Sequence, residues 1–514
     1  MNRAALRSAG LLGSGMLSAL ALGPWGFWPL AIAGLAWLYQ AMADLDTWRR
    51  RLLTAWLFLF GYHLVGLVWM IDLTPPGYLI SVPIMSLIVA APFAVVSRSQ
   101  VLGRRHSGLV LLPAALVVGE AWALVFPFGG VPMANMALGQ VNGPLLPVAR
   151  AFGALGIIAA LGLLSAAVGE TAITIASGKR KLERPTWFAF GVVLLVVAAG
   201  YVAPAGSVVD TITVSTVQGG GRLGTNAVNS DLGSVYERHL EATAQVPDGA
   251  LVVWPESAVT VNDDFDGSSE QLALSSLAIE RNLTFIVGVT QRNNVPDRDN
   301  TFDNLAVVIG PDGEVFDEYS KVHLVPFGEY VPLRSFVDRF ADLSLIPREA
   351  VAGSGPGAVD TPFGPVAVAI SFEIYFPERV RSGVDQAGAL LVVNPTLASS
   401  YRTTHVPEQT LASAQLRAVE TGRWVVQSST TGYSAIVDPD GDVIGRTGLI
   451  EQRVVTAPVQ LRDGKTWPTR TGKLPITLLA IGLLIMLSAK RPRLPARPQQ
   501  LSESKVTGSE KPFN

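Results

Sequence analysis

The chain has 514 residues, 49% hydrophobic and only 16% charged, with a formal net charge of -2 and no cysteine. So low a charged fraction at this length points to membrane spans, and the near-neutral balance gives no reason to expect nucleic acid as a partner. Without cysteine there are no disulfides, thiolate metal sites or thiol nucleophile, and with no Gly-rich phosphate loop or histidine cluster, no cofactor or metal is expected.

From the N-terminus to about residue 205, apolar stretches of roughly 20 residues, the length that crosses a bilayer, alternate with short polar breaks. Seven spans are predicted, at 8–23, 26–44, 52–72, 78–97, 107–127, 145–176 and 187–204. The first reads as a retained helix, because later spans follow it. Every second connection is basic: Arg3 and Arg7, then 49–51, then Arg98, Arg104 and Arg105, then Lys179, Arg180, Lys181 and Arg184. Connections around Pro24, Pro75 and 128–142 carry almost no Lys or Arg. The positive-inside rule puts the N-terminus in the cytoplasm and brings the chain out after the seventh crossing. His63, Glu120 and Glu170 are the intramembrane ionisable residues to explain, since such groups are costly in lipid. Glu120 is expected to make a structural hydrogen bond to a Trp or the backbone, and Glu170 to reach water near the cytoplasmic end.

The segment that follows has a different texture, with strand-like runs at 211–218, 250–254, 284–290, 304–309, 366–370, 389–393, 424–428 and 434–437. Helical stretches at 230–245, 268–281 and 407–421 alternate with them, which argues for a layered α/β fold, and Pro311-Asp-Gly313 and Pro439-Asp-Gly441 suit hairpin turns. An eighth apolar run, 474–487, is followed by Lys490, Arg491, Arg493 and Arg497, which return the tail to the cytoplasm. The expected organisation is a seven-helix transmembrane domain (1–206), an extracytoplasmic α/β domain (207–466), an eighth transmembrane helix (467–489) and a cytoplasmic disordered tail (490–514).

Three stretches carry chemistry. The apolar run that begins at Pro365 ends in Ser371, Phe372 and Glu373; Leu251-Val-Val-Trp-Pro-Glu256 is another apolar run ending in a carboxylate; and Lys321-Val-His-Leu-Val-Pro-Phe-Gly-Glu329-Tyr-Val-Pro332 supplies a cation. Together they offer a base, an ammonium and a nucleophile on rigid strand ends. A buried carboxylate there can accept a proton, and desolvation is expected to raise its pKa. Gly219 to Gly221 is read as a flexible loop, because no Lys-Ser/Thr follows it.

In order and spacing the trio resembles the Glu-Lys-Cys triad of the nitrilase (carbon-nitrogen hydrolase) superfamily, with Ser371 at the cysteine position. The membrane half resembles one branch of it, the apolipoprotein N-acyltransferases, through Gly23-Pro-Trp-Gly-Phe-Trp-Pro29, Gly61-Tyr-His-Leu-Val-Gly-Leu-Val-Trp69, Gly119-Glu120-Ala-Trp122, Leu138-Gly-Gln140 and Gly143-Pro-Leu145. The resemblance spans about residues 10 to 490. It implies a multi-span α-helical membrane domain plus an α/β nitrilase-like domain, an αββα four-layer sandwich, in a bacterial plasma (inner) membrane with that domain outside. It also implies transfer of an acyl chain from a phospholipid donor to the N-terminal diacylglyceryl-cysteine of lipoproteins through an acyl-enzyme.

By position, the resemblance implies Glu256 as general base, Lys321 as the oxyanion-stabilising cation and Ser371 in place of the acylated cysteine, with Glu329 and Glu373 as supporting acidic residues. His323 is read as structural. Activity is expected to be impaired, because a hydroxyl is far harder to deprotonate than a thiol. Asn394-Pro395-Thr396-Leu397 also departs from the family's Asn-Asp followed by an aromatic and a glycine, and Gln218 with Gly219-Gly-Gly-Arg222 lacks the usual continuation. Two other readings stand beside this one: an inactive paralogue acting as a membrane scaffold for lipoproteins, or for a cytoplasmic partner bound through the tail, and a membrane-tethered amidase.

Overall fold

The computed structural model describes residues 3–72, 74–95, 106–221, 232–293, 300–339, 348–397 and 405–489. Arg98, Arg104, Arg105, Arg222 and the whole tail 490–514 lie outside the described residues.

The N-terminal part is helical: α1 Arg3–Ala19, α2 Trp28–Met42, α3 Trp48–Gly66, α4 Pro75–Ala90, α5 Gly108–Ala123, α6 Val148–Ala176 and α7 Arg184–Val202. Among the described residues three helical segments are long and apolar enough to cross a membrane, Pro75–Ala94, Val148–Ala176 and Arg184–Val202, and two apolar helices are shorter, Gly108–Ala123 and Leu474–Ser488. Helix α1 lies against α3 backbone to backbone: a Cβ added at Gly15 would sit 1.9 Å from the Phe58 carbonyl oxygen. Small residues permit such close helix contact in a bilayer, where solvent does not drive association. Helix α6 is broken at Gly153, whose φ of 69° and ψ of -175° are not helical.

Glu120 is buried and accepts from Asn135 Nδ2 at 2.9 Å and the Met136 amide at 3.4 Å, a structural role at the loop after α5. His63 Nδ1 lies 3.0 Å from Ser86 Oγ. Glu170 corrects the expectation that it reaches water: it is fully buried and accepts from Tyr39 Oη at 2.9 Å, with His106 3.9 Å away. Neighbouring helices supply the polar partner that solvent was expected to supply.

Residues 207–463 form two sheets packed face to face. One has the order β14-β1-β2-β4-β5-β6, with short β3 on β4 and β7 on β5; the other has the order β13-β12-β11-β10-β9-β8. Their ranges are β1 Ser207–Gln218, β2 Leu251–Val253, β3 Val259–Thr260, β4 Thr284–Asn293, β5 Thr301–Ile309, β6 Val315–Ser320, β7 Glu349–Ala350, β8 Ala358–Val359, β9 Val366–Val368, β10 Leu391–Thr396, β11 Val425–Ser429, β12 Ala435–Val437, β13 Val443–Arg446 and β14 Arg453–Asp463. The hairpin turns fall where expected, between β5 and β6 and between β12 and β13. Strand β14 escaped the sequence reading because Pro458 interrupts it. It lies at a sheet edge, paired with β1, and there the missing N–H costs little.

The two-residue period of the strands sorts their side chains between layers. Val366, Val368 and Ile370 join Val253, Ile286 and Val308 in the core between the sheets, while Ala367 and Ala369 face the other way. Helices α8 Leu232–Thr243 and α9 Ser269–Arg281 cover the first sheet, and α10 Pro377–Gln386 and α11 His405–Thr421 cover the second. The result is the αββα sandwich. Its second helical layer shares one continuous apolar core with the membrane helices, so α11 is buried along nearly its whole length.

The charge-poor connections of the helical part touch this sandwich. Gln409 of α11 accepts from the Ala134 amide at 3.0 Å and donates to the Gly66 carbonyl at 3.2 Å; Arg150 Nη2 donates to the Pro439 carbonyl at 2.8 Å; Trp25 lies edge-on to His405; and Phe128 meets Phe327. At the other end, Arg7 donates to the Ala41 carbonyl and His106 lies 3.3 Å from Glu183.

Candidate active site

Each chemical side chain is delivered by the end of a strand. Strand β2 runs into Trp254-Pro255-Glu256, anchored where the Trp254 amide donates to the Ile286 carbonyl at 2.9 Å. Gly288 on β4 lets this segment cross, since a Cβ there would lie 2.2 Å from the Pro255 carbonyl oxygen. Lys321 follows β6, its amide bonded to the Asn304 carbonyl at 2.9 Å. Ser371 follows β9 and opens a short 3₁₀ turn with φ at +53°, a left-handed conformation that costs a non-glycine residue about 1–3 kcal/mol and is met at functional elbows.

The three converge. Lys321 Nζ is 2.9 Å from Glu256 Oε1 and 2.9 Å from Glu329 Oε1, and Ser371 lies close enough to Glu256 to favour its charged form. Lys321 and Glu256 are 1% and 5% exposed, so their charges act at low screening, and Ser371 is half-buried. Glu256 also accepts from Asn304 Nδ2 at 2.7 Å and the Leu397 amide at 2.8 Å. Glu329 accepts from the Val325 amide at 2.7 Å and from Asn304 Nδ2 at 3.0 Å, which orders its own Pro/Gly turn while it faces the ammonium.

The expected rise in the Glu256 pKa is overturned. Burial does push its carboxyl up, but the Lys321 charge and the donors Asn304, Lys321 and Ser371 outweigh burial and hold it below its ordinary value. For Lys321, burial alone would lower the ammonium, and the two carboxylates Glu256 and Glu329 raise it instead. The site therefore holds an ionised carboxylate, a protonated amine and a neutral hydroxyl.

Glu373 joins parts of the site to one another. Fully buried, it accepts from the Ile370 amide at 2.9 Å, the Val322 and His323 amides at 3.0 and 2.9 Å, and Tyr319 Oη at 2.9 Å. It thereby ties the turn carrying Ser371 to the segment just after Lys321. Burial raises its carboxyl, against the His323 amide, Arg379 and Lys321. Arg379 Nη2 donates to Tyr319 Oη at 2.8 Å and closes this network. The His323 ring lies 3.8 Å from that of Phe376, and burial first, then Arg379 and Lys321, push its pKa down to about 4, so it is neutral. Gln218 is buried, donating to the Gly448 and Glu451 carbonyls at 2.7 and 2.9 Å.

The sequence reading missed Asn304, Tyr319 and Arg379 as parts of the site, and saw Thr396 only as a departure. Asn304 left one signal, a polar residue at the head of an apolar strand. Thr396, 3% exposed, donates to Ser371 Oγ at 3.3 Å.

A four-layer sandwich with carboxylate, ammonium and hydroxyl on three strand ends, joined to a bundle of apolar helices, defines a membrane-embedded protein of the carbon-nitrogen hydrolase type. The family model described as carbon-nitrogen hydrolase matches residues 213–469, and that of the apolipoprotein N-acyltransferase N-terminal domain matches 14–167. Among similar curated proteins, the apolipoprotein N-acyltransferases of Pseudomonas putida and Rhizobium leguminosarum bv. trifolii are both 27% identical to this chain. The alignments cover 87% of this chain and 90% of the first, and 90% of this chain and 92% of the second. A solved structure from Saccharomyces cerevisiae, Nit3, a member of branch 10 of the nitrilase superfamily, is 21% identical over 54% of this chain and 97% of its own, with a TM-score of 0.36. The chain belongs to the apolipoprotein N-acyltransferase family, within the nitrilase superfamily.

Proposed function

We propose that this chain is a plasma-membrane acyltransferase that moves an acyl chain from a phospholipid to the N-terminal diacylglyceryl-cysteine of lipoproteins, with Ser371 as a slow hydroxyl nucleophile. The observation that carries the reading is the convergence of Glu256, Lys321 and Ser371, with the Lys321 ammonium 2.9 Å from Glu256 and Ser371 beside that carboxylate. Ser371 Oγ attacks the acyl carbonyl carbon and its proton passes to Glu256, while Lys321 stands beside the oxyanion that develops. The ester bond to glycerol breaks, its oxygen takes the proton from Glu256, and lysophospholipid leaves. The lipoprotein amine then attacks the Ser371 ester, an amide forms, and the proton returns through Glu256 to Ser371. Glu329 and Asn304 hold the ion pair in place, and Glu373 keeps the nucleophile's turn against the Lys321 segment.

We place 207–466 outside the membrane, both termini in the cytoplasm, and the segment 467–489, with α12 Leu474–Ser488, as the last crossing. Contact of the charge-poor connections with the sandwich supports this orientation, because the basic connections are then left at the opposite end. A second reading, a scaffold that binds lipoproteins without turnover, is favoured by Ser371 itself and by the altered Asn394-Pro395-Thr396-Leu397 segment. Purified protein in vesicles of phosphatidylethanolamine, given a diacylglyceryl lipopeptide, separates them: the acyltransferase yields triacylated lipopeptide and a chain one acyl group heavier, and binding without either product overturns it. Turnover of small amides in place of lipid would instead establish a tethered amidase.

A further inference from the structure

The hydroxyl at position 371 does not stand alone. Thr396, the last residue of β10, donates through Oγ1 to Ser371 Oγ at 3.3 Å, and Glu256 is the carboxylate that Ser371 faces. Thr396 is 3% exposed, so no solvent competes for its proton. Its place relative to Ser371 is set by rigid backbone: the Ala369 amide bonds the Val393 carbonyl at 3.0 Å, and Asn394 Nδ2 donates to the Ala369 carbonyl at 2.5 Å, so the strand carrying Thr396 and the turn carrying Ser371 are fastened two residues from each hydroxyl. The next residue, Leu397, gives its amide to Glu256 Oε2, which fixes the acceptor of the Ser371 proton in the same frame.

We infer that Thr396 is a positioning residue for a hydroxyl nucleophile, holding Ser371 Oγ in the rotamer that points its proton at Glu256. The inference rests on the acyl-transfer reading above. A serine hydroxyl rotates freely, and only the rotamer aimed at the base is productive. A donor on Oγ selects that rotamer by occupying one lone pair. As the proton leaves and Oγ gains negative charge, the same bond becomes charge-assisted and strengthens, so it favours the transition state over the ground state. Sulfur is a weak acceptor, so a thiol at 371 would draw little from Thr396. The two hydroxyls thus form a matched pair.

The test uses the full-length protein in detergent with a p-nitrophenyl acyl ester, an activated donor that acylates position 371 with release of p-nitrophenolate and needs no lipoprotein. Acylation is followed by intact mass. With Ser371, Thr396→Val is expected to slow acylation about tenfold, the weight of one hydrogen bond that strengthens in the transition state, and Thr396→Ser to restore it to within about twofold. The same Thr396→Val change in the Ser371→Cys background is expected to cost at least about threefold less, and the difference between the two losses is the readout that mere packing would not produce. Equal losses in both backgrounds, or no loss with Ser371, would overturn the inference and leave the acyltransferase reading standing. A Ser371 chain that takes no acyl group while Ser371→Cys does would sink both.

Discussion

Restoring sulfur at the nucleophile is the sharpest perturbation of this site. A thiol is a few per cent ionised at about pH 7, so reaching the thiolate costs only about 2 kcal/mol, whereas a hydroxyl depends wholly on transfer of its proton during attack. General-base assistance of that kind contributes about 10²–10⁴-fold. The structure weakens it here, because Glu256 already accepts from Lys321, Asn304 and Leu397 and its carboxyl is held below the ordinary value. Ser371→Cys is therefore expected to raise acyl-enzyme formation from phospholipid by about 100-fold or more. Intact-mass spectrometry of both purified proteins after incubation with phosphatidylethanolamine vesicles measures it, with Ser371→Cys/Glu256→Ala as the control. If the cysteine form acquires no acyl mass, the site lacks more than a nucleophile, and the scaffold reading replaces the enzymatic one.

Lys321→Met removes the cation that Glu256 and Glu329 both face, leaving buried carboxylates unpaired; stability should drop by about 3–5 kcal/mol, and an unchanged thermal midpoint in detergent would refute the ion-pair description. His239 is buried, takes the Gly219 amide on Nε2 at 3.0 Å and pairs Nδ1 with the Val235 carbonyl, and burial pushes its pKa from 6.5 to about 4. The unfolded chain therefore binds this proton before the folded one does, so the stability from His239 is present above about pH 6.5 and falls by up to about 3 kcal/mol as pH drops toward 4. Melting curves of the parent and His239→Gln should converge as pH is lowered across that window, and parallel curves would contradict it. For topology, the chain's lack of cysteine makes Ser269→Cys and Ser177→Cys clean single reporters at exposed positions. A membrane-impermeant thiol reagent added to cells with a permeable outer layer should label the first and spare the second, and the reverse pattern would invert the proposed orientation.

The sequence by itself determined the alternation of apolar helices and strands and marked Glu256, Lys321 and Ser371 as candidates for chemistry. Apolar length and basic flanks marked the helices, and two-residue alternation with Pro-Asp-Gly turns marked most strands, because both signals are local and repeat within a few residues. Glu256, Lys321 and Ser371 were legible because each ends an apolar run or sits in a long, specific motif. Tertiary structure decided whatever depends on distance between residues far apart in the chain. The Glu256 pKa falls when burial alone would raise it, since Lys321, 65 positions away, comes within 2.9 Å. Glu170 is satisfied by Tyr39 from 131 positions away, not by water. Strand β14 is a strand in spite of Pro458 because it happens to be an edge. Thr396 looked like a lost family feature, and only the register of β10 beside the turn at Ser371 shows its hydroxyl on the nucleophile. A sequence shows which groups can carry charge or a proton, but their energies are sums over neighbours, and the neighbours are chosen by the fold.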